Sequence, residues 1–503
     1  MVDRSTSPAY TDRGRWTALV VLCAGVLMII LDSTIVNVAL PSIQRDLGFS
    51  QANLAWVVNA YLISFGGLLL LAGRLGDLLG RRRAFLVGMV LFTTASLLCG
   101  LAESQALLIS ARFVQGVGGA LTTAVILGMI VTMFPEPREQ GKAIGAYSFV
   151  AAAGASLGLL LGGVVTQLVD WHWIFFINIP IGVVTLLLSL RLVARDGEVP
   201  GLGRDVDTAG AGLATGAVML AVYTIVEAGD NGWGSANTLG FGAIVLALIA
   251  AFVVRESTAK APLIPLRMFR SRNVAGANLI QLLMISSQFG MFFLGVLFMQ
   301  HVLGYSSIGT GVAFLPVSLG VGIMSLGFSA RLNLRFGPKA VLQAGLVMLV
   351  AALAWMARAP IGASYVVDLL PSMVLLGAGA GLCFPALLAL ALSGATAEDS
   401  GLASGLVNTT LQVGGALGLA VLATLSATRT AHLVVSGDGH AAALTGGYHL
   451  GWIVAAGIAA AALAIATPLL KSVRPGAPAD AGDDKDADVA GTKPVDPPLA
   501  EAA

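Results

Sequence analysis

Long apolar segments recur along almost the whole chain, and they restrict the fold more than any other feature. Of the 503 residues, 57% are hydrophobic and 11% are charged, whereas a soluble domain carries about 25% charged residues. A membrane-crossing helix needs about 20 apolar residues. The sequence therefore predicts an all-α polytopic membrane protein with fourteen transmembrane helices. The predicted spans are 16–40, 52–72, 82–101, 105–133, 141–167, 172–192, 208–227, 237–254, 272–300, 308–330, 338–357, 364–392, 399–427 and 448–470.

The basic residues are distributed unevenly between alternate loops. With the N-terminus inside, most of the 28 Lys and Arg residues fall in cytoplasmic segments. Because cytoplasmic loops of membrane proteins are enriched in Lys and Arg, we predict a multi-pass protein of the cell membrane with both termini in the cytoplasm. Residues 1–15 form the predicted N-terminal segment. Residues 471–503, rich in Pro, Ala and Asp, form a predicted disordered tail.

Two spacing patterns recur along the chain. The pattern G-x3-G-x8-G-x3-G over 141–158 reappears over 401–418. A loop pattern of a basic residue, a glycine and a second basic residue, at positions 74, 80 and 82, reappears at positions 331, 337 and 339. The glycine patterns lie 260 residues apart and the loop patterns 257 residues apart. Each distance covers eight predicted spans, which indicates a repeated six-helix unit with two extra helices between the copies. Repeated halves around a midplane site are typical of secondary transporters. The predicted units are an N-terminal bundle (16–192), a two-helix insertion (193–271) and a C-terminal bundle (272–470).

Two charged residues, Asp32 and Arg112, fall at similar depths inside predicted spans. A charged group at the bilayer centre costs between ~2.5 and more than 10 kcal/mol, so such residues are candidates for function. A carboxylate that alternates between a cationic partner and an apolar environment alternates in its affinity for a proton. We therefore predict that Asp32 and Arg112 form a pair that couples transport to proton movement. The alternative is a static ion pair.

Several segments resemble motifs of the major facilitator superfamily. LDSTIVNVALP, Leu31–Pro41, is similar to the helix 1 motif of its fourteen-helix drug:proton antiporters. LISARFVQGVGGA, Leu108–Ala120, resembles the superfamily's helix 4 motif, which is associated with proton transfer. WHWIFFINIPIG, Trp171–Gly182, resembles the entry to helix 6, and we interpret its aromatic residues as membrane-interface anchors. The resemblance implies the major facilitator fold, in which two six-helix bundles enclose a central cavity.

The loop GRLGDLLGRRR, Gly73–Arg83, resembles the superfamily's signature between helices 2 and 3. The resemblance implies that this loop acts as a conformational latch between the two halves. An ordinary positive-inside loop is the alternative interpretation. The predicted latch residues are Gly73, Asp77, Gly80, Arg81 and Arg82.

Gly154, Gly158, Gly162 and Gly163 resemble the antiporter motif of helix 5. In that motif a proline follows the second glycine, and here Leu159 occupies its position. The change removes an expected kink and weakens the inference of export from this motif. Close helix packing by small residues is the alternative role for these glycines.

The family also implies a central cavity that binds substrate. The predicted spans contain polar and aromatic residues that would suit its wall. Since Asp32 is the only acid deep in a predicted span, we expect the substrates to be neutral or monocationic amphipathic small molecules. The predicted cavity residues are Asn37, Tyr61, Gln115, Gln288, Asn408 and Gln412.

Several function classes are excluded by the sequence. The chain has no G-x-x-x-x-G-K-[ST] loop, so ATP hydrolysis is not expected. Its three cysteines lie in apolar runs and its histidines fit no metal template. The net charge of +1 gives no reason to expect nucleic acid as a partner. We predict a monomeric secondary transporter in the lipid bilayer, with no enzymatic activity, cofactor or metal.

The predicted function is proton-motive-force-driven export of amphipathic drugs or antibiotics by alternating access, which would confer resistance. The resemblance extends to antibiotic self-resistance exporters of actinomycetes, such as puromycin-resistance transporters. A major facilitator importer of a small nutrient or metabolite is the alternative, but it should lack the helix 1 motif and the two extra helices. A membrane-embedded enzyme or sensor would need a catalytic cluster at one membrane face, and the sequence shows none.

Overall fold

The computed structural model describes residues 12–134, 136–194, 196, 207–259, 262–263, 266–393 and 400–471, and every regular element in these ranges is helical. The first part of the chain comprises α1 (Asp12–Leu47), α2 (Gln51–Leu54), α3 (Trp56–Leu79), α4 (Arg81–Gly100), α5 (Gln105–Met133), α6 (Pro137–Leu168), α7 (Trp173–Phe176) and α8 (Asn178–Leu192). The central hairpin comprises α9 (Thr208–Asn231) and α10 (Ala236–Thr258).

The last part of the chain comprises α11 (Arg272–Leu297), α12 (Ser307–Ala313), α13 (Leu315–Gly322), α14 (Ala330–Phe336), α15 (Pro338–Met356), α16 (Leu370–Leu392), α17 (Ser400–Val435) and α18 (His440–Leu469). A 3-10 turn precedes α11, over Leu266–Arg270. Wider, π-helical turns extend α11 (Phe298–Val302), join α13 to α14 (Ile323–Ser329) and begin the segment of α16 (Tyr365–Leu369).

A helix lies over each of the fourteen predicted spans. Among the described residues, twelve helical segments are long and apolar enough to cross a membrane. The other two, within α3 and α6, have shorter described apolar stretches, Trp56–Leu69 and Leu157–Leu168. The all-helical, multi-pass architecture is therefore confirmed, and the count of fourteen crossings stays a prediction.

The start of α1 and the end of α18, which are the described ends of the chain, lie at one end of the bundle, here called the termini end. At the opposite end, hydrogen bonds join the first part of the chain to the last. Gln300 donates to the carbonyl of Val38 at 3.1 Å, and the backbone of Ile308 donates to Gln167 at 3.2 Å. These contacts hold the two parts together at the end away from the termini.

The central hairpin lies against both parts of the chain. A Cβ on Gly67 of α3 would approach the Thr215 hydroxyl of α9 to 2.6 Å, and a Cβ on Gly229 of α9 would approach Thr424 of α17 to 2.7 Å. Helix α10 packs mainly on α9, and most of its side chains are exposed. The predicted boundaries 16–192, 193–271 and 272–470 stay predictions.

The recurring glycines pack equivalent helix pairs. A Cβ at Gly158 of α6 would collide with Thr34 of α1, and a Cβ at Gly418 of α17 would collide with Ser286 of α11. Small residues at such crossings let two backbones approach closely. The glycine pattern in the sequence therefore corresponds to the same helix contact in each half.

The recurring loops also make equivalent contacts. Arg82 donates to the carbonyl of Leu190, near the end of α8, at 2.8 Å. In the second copy, Lys339 donates to the carbonyl of Leu470, just after α18, at 2.8 Å. In both halves, a basic side chain at the start of the third membrane-spanning helix (α4 or α15) therefore binds a carbonyl group at the end of the sixth (α8 or α18). Such contacts suit the partial negative charge of a helix C-terminus.

The turn between α3 and α4 depends on one glycine and one carboxylate. Gly80 adopts φ +105°, a conformation that L side chains rarely reach. Asp196 accepts from the backbone of Arg82 at 2.9 Å and of Arg83 at 3.1 Å, so it caps the start of α4. A Cβ at Gly80 would collide with this carboxylate. The loop geometry is thus fixed by contacts with Asp196, in the segment that follows α8.

The other predicted latch residues lie nearby on α3 and α4. Arg81 donates to the carbonyl of Gly128 on α5 at 2.8 Å. A Cβ at Gly73 would lie 3.9 Å from Ala124, an ordinary contact. The side chain of Asp77 lies outside the described residues. The latch role of this loop stays a prediction.

We expect Gly80→Ala to lower the free energy of unfolding by about 1–3 kcal/mol, because the added methyl group meets Asp196 and the backbone is strained. Thermal unfolding of the purified protein in detergent measures the effect. Gly216→Ala in α9 is the matched control, since a Cβ there meets nothing within 4 Å. Equal stability of the two variants would contradict this account of the turn.

Candidate functional site

The two charged residues in the first half form a direct ion pair. Arg112 Nη1 lies 2.6 Å from Asp32 Oδ2, and the side chains are 1% and 0% exposed. Asp32 lies on α1 and Arg112 on α5, so the ion pair joins two helices of the first part of the chain. Removing either partner would leave an uncompensated buried charge, which is strongly destabilising.

Further contacts orient the guanidinium group. Its Nε donates to the carbonyl of Val57 on α3 at 3.0 Å. The ring of Tyr61 lies 4.4 Å from the guanidinium carbon, and the ring of Phe175 on α7 lies 5.7 Å from it. Aromatic faces at such distances attract cations. Arg112 is therefore held on several sides, although it carries the only charge that faces Asp32 at hydrogen-bonding distance among the described residues.

Three neutral side chains complete the site. Gln115 and Asn178 each donate to Asp32 Oδ1 at 2.8 Å. The same two amide groups donate to the hydroxyl of Ser96, at 2.6 and 3.0 Å. Gln115 Oε1 in turn accepts from Arg112 Nη1 at 2.7 Å. Both oxygens of the buried carboxylate are thereby paired, as burial requires.

Close packing brings these helices together. A Cβ at Gly116 of α5 would collide with Ser64 of α3, and a Cβ at Gly118 would approach the backbone of Phe92 on α4 to 2.5 Å. The glycines beside Arg112 and Gln115 thus allow α5 to lie directly against α3 and α4. The site is assembled from α1, α4, α5 and α8, with α3 and α7 behind the arginine.

A cavity of about 510 Å³ lies between the two halves. Arg112 forms part of its wall, whereas Asp32 does not. Among the described lining residues, Arg112 is the only charged one. Most of the lining is aliphatic or aromatic, a composition that suits amphipathic ligands. The aromatic residues of the wall are Tyr61, Phe65, Tyr147, Phe289, Phe292 and Phe384.

Five of the six predicted cavity residues lie in this wall, and one does not. Gln115 lies behind the wall, bound to Asp32 and Ser96. Gln288 is 5% exposed, and its amide nitrogen has no hydrogen-bond partner among the described residues. It could therefore bind a polar group of a ligand. The predicted residues in the wall are Asn37, Tyr61, Gln288, Asn408 and Gln412.

The predicted helix 5 glycines lie at helix contacts. Gly154 and Gly158 face α1, and Gly162 lies against the backbone of Ile35. A Cβ at Gly163 would approach the backbone of Ser307 to 2.6 Å, across the contact between the halves. Their positions agree with the close-packing role. Leu159, in place of the usual proline, lines the cavity.

Ser96 and Asn178 were not among the residues predicted to form the site. Asn178 belongs to the segment Trp171–Gly182, whose aromatic residues were interpreted as interface anchors. Trp173 is 52% exposed, which suits an anchor, but Trp171 is buried and donates to Asp46 at 2.9 Å. A polar residue within the apolar run 173–192 was the available signal for Asn178. No comparable signal distinguished Ser96 from other hydroxyl groups in spans.

The described residues contain no group of three or more His, Cys, Asp or Glu side chains that could hold a metal ion. Cys23, Cys99 and Cys383 are buried as free thiols. The thiol of Cys99 lies 3.7 Å from Gln115 Oε1, at the edge of the Asp32 site. The chemistry of the site therefore rests on one carboxylate, one guanidinium group and neutral hydrogen-bonding side chains.

Comparison with curated proteins confirms the resemblance seen in the sequence. The chain is 38% identical to the puromycin resistance protein pur8 of Streptomyces alboniger over 91% of each chain. It is 38% identical to the cephamycin export protein CmcT of Amycolatopsis lactamdurans, over 91% of this chain and 93% of that one. It is 37% identical to the tetracenomycin C resistance and export protein of Streptomyces glaucescens, over 84% and 78%.

Solved structures share the fold. A bacterial homolog of the human lysosomal transporter Spinster, in an inward-facing conformation, aligns with a TM-score of 0.65 at 14% identity, over 91% of this chain and 97% of that one. The nucleoside transporter NupG aligns with a TM-score of 0.63 at 12% identity, over 90% and 100%. At these identities the likeness concerns the fold alone.

A sequence profile described as Major Facilitator Superfamily matches residues 22–419, which is most of the chain. This family consists of secondary transporters, so the chain is a multi-pass membrane transporter rather than an enzyme. The profile match and the relatives above 30% identity over most of both chains show that this protein belongs to the major facilitator superfamily.

Proposed function

We propose that this protein exports amphipathic drugs or antibiotics across the cell membrane in exchange for protons, and thereby confers resistance. The relatives named as resistance and export proteins support export. They favour this function over nutrient import. We further propose that the protein acts as a monomer with both termini in the cytoplasm.

The single observation that carries the proposal is the position of the Asp32–Arg112 pair. Asp32 is sealed from the cavity, whereas its partner Arg112 forms part of the cavity wall. A proton that binds Asp32 neutralises the carboxylate and removes its attraction for Arg112, which is about 4 kcal/mol for charges 4 Å apart at an effective dielectric constant of 20. Protonation of Asp32 therefore changes the charge that faces the substrate.

Exchange follows from this change. While Asp32 is deprotonated, its charge balances that of Arg112, and the wall tolerates a cationic substrate. Once Asp32 is protonated, Arg112 presents an uncompensated positive charge to the cavity, and a bound cation is repelled. Proton binding and substrate binding are thus mutually unfavourable, which is the coupling that an antiporter requires.

Alternating access moves the cavity between the two sides of the membrane. The contacts from Gln300 to Val38 and from Gln167 to Ile308 hold the halves together at the end away from the termini. With the termini in the cytoplasm, these contacts close the outer side. To release substrate outside, the halves separate there and approach each other at the termini end, with the loop at 73–83 stabilising one of the two states.

The cavity wall also limits the charge of the substrates. Its only charged residue among the described lining side chains is Arg112. With Asp32 deprotonated, the pair is neutral and offers a substrate cation no net counter-charge, so the cost of burying the substrate rises steeply from one positive charge to two. We therefore expect neutral or monocationic amphipathic compounds, with aromatic contacts from residues such as Phe289 and Phe384 and hydrogen bonds from Gln288.

We expect Asp32→Asn to reduce pH-gradient-driven transport of a fluorescent monocationic substrate to the level of protein-free liposomes. Asparagine has the same size and can still accept from Arg112, but it does not carry a proton at physiological pH. Dye accumulation in proteoliposomes after an imposed pH jump measures the effect. Asp368→Asn is the matched control, because Asp368 lies at a helix end and accepts from the backbone of Ser364. Undiminished transport by Asp32→Asn would refute proton coupling through this residue.

A cell-based comparison tests the charge limit. We expect expression to raise resistance to a monocationic dye and to leave resistance to a dicationic dye unchanged, because an unpaired second charge costs several kcal/mol, or about a hundredfold or more in affinity. Growth inhibition of an efflux-deficient strain measures the difference, with Asp32→Asn as the inactive control. Equal resistance to both dyes would show that the charge argument is wrong.

A further inference from the structure

The two oxygens of the Asp32 carboxylate have different partners. Oδ2 accepts from Arg112 Nη1, at 2.6 Å. Oδ1 accepts from the amides of Gln115 and Asn178, each at 2.8 Å. Arg112 Nη1 makes a second hydrogen bond, to Gln115 Oε1, at 2.7 Å. This one nitrogen therefore joins two acceptor oxygens, Asp32 Oδ2 and Gln115 Oε1.

Departure of Arg112 would leave both acceptors, Asp32 Oδ2 and Gln115 Oε1, without the hydrogen bonds that Nη1 donates to them. Unpaired buried acceptors are costly. A proton on Asp32 Oδ2 removes both deficits at once, since the new O–H group donates to Gln115 Oε1. The proton thus takes the place that Arg112 Nη1 occupies in the deprotonated state.

We propose that Gln115 Oε1 accepts the hydrogen bond of protonated Asp32, with the proton on Oδ2, and that Ser96 and Asn178 are positioning residues that maintain this arrangement. The inference rests on the proposed function, in which Asp32 carries the proton. It assigns a specific role to Gln115, which the sequence placed in the substrate cavity. It also explains why two residues absent from the predicted site lie against the carboxylate.

The positioning follows from a closed ring of hydrogen bonds. The amide nitrogens of Gln115 and Asn178 each donate to Asp32 Oδ1 and to Ser96 Oγ. Both hydrogens of each amide group are thereby used. Turning either amide around would set its oxygen against Asp32 Oδ1, which can only accept while Asp32 is deprotonated, and would lose the bond donated to the carboxylate. The ring therefore keeps Gln115 Oε1 on the side of Asp32 Oδ2.

The surroundings contain few other groups that could titrate with Asp32. Among the described residues, Arg112 on α5, Tyr61 on α3 and Cys99 on α4 are the charged or titratable groups that act on it. Helices α7 and α8 contribute only the uncharged Phe175 and Asn178 here. The Tyr61 hydroxyl lies toward Gly119, one turn along α5 from Gln115.

One rival acceptor is present in the site. Asn178 Oδ1 is buried and has no hydrogen-bond partner among the described residues. If the Asn178 amide turned around on protonation, this oxygen would accept the proton in place of Gln115 Oε1. If Asn178 were the acceptor, Asn178→Leu would leave the titration midpoint of Asp32 near the wild-type value, and Gln115→Leu would raise it.

The test is an infrared pH titration of the purified protein in lipid, in which the band of the protonated carboxyl group is assigned by its loss in Asp32→Asn. Asn178→Leu removes one donor to the carboxylate, so we expect its titration midpoint to rise by about one pH unit. Gln115→Leu removes a donor to the carboxylate and the acceptor of the proton. Because these effects oppose each other, we expect its midpoint to stay within about half a unit of the wild type.

Matched controls exist in the second half. Asn278 and Gln281 on α11 are buried amides that contact Val274 and Val407, and we expect Asn278→Leu and Gln281→Leu to leave the midpoint unchanged. Gln115→Met repeats the test with an unbranched side chain should Gln115→Leu fail to fold. Equal upward shifts in Gln115→Leu and Asn178→Leu, or a larger shift in Gln115→Leu, would overturn the inference. A wild-type protein without any band lost in Asp32→Asn would instead refute the proposed function.

Discussion

The interaction on which the rest of the structure depends is the ion pair between Asp32 and Arg112 inside the hydrocarbon layer. Burying either charge alone would cost several kcal/mol, and the surrounding helices are arranged so that neither is alone. Glycines on α5 let that helix approach α3 and α4 closely enough for Val57, Ser96 and Gln115 to reach the pair. The packing of the first half can therefore be understood as the condition for keeping two charges in a membrane.

The two halves share an arrangement of helices, but the Asp32–Arg112 ion pair lies in the first half. The contacts at Gly158 and Gly418 place equivalent helices side by side. At the α11–α17 crossing in the second half, the polar contacts include a hydrogen bond from Thr410 to Asn278, at 3.0 Å. The internal repeat thus supplies the shape of the cavity, whereas the one charged side chain among the described lining residues, Arg112, comes from the first half. Under the proposed function, this division would let one half bind the proton while both halves surround the substrate.

The sequence predicts much of the fold because its signals are local. Apolar run length locates the helices, and recurring glycines locate the crossings. The Asp32–Arg112 pair is predictable because charges in apolar runs are rare. Ser96 and Asn178 are less so, since neutral polar residues in spans are common, and Asn178 meets Asp32 from 146 residues away. Gln115 was predicted to line the cavity, but a motif does not show which side of a helix faces the substrate.

Among the described residues, Asp32 is the one carboxylate at the Arg112 site, and this has a consequence for the energy source. If each cycle returns one proton on Asp32, export of a monocation moves no net charge across the membrane, and the pH gradient alone drives it. Export of a neutral compound moves one positive charge inward, so the membrane potential adds about 2.3 kcal/mol per 100 mV. The same protein would thus concentrate its neutral substrates more steeply than its cationic ones in a strongly polarised cell.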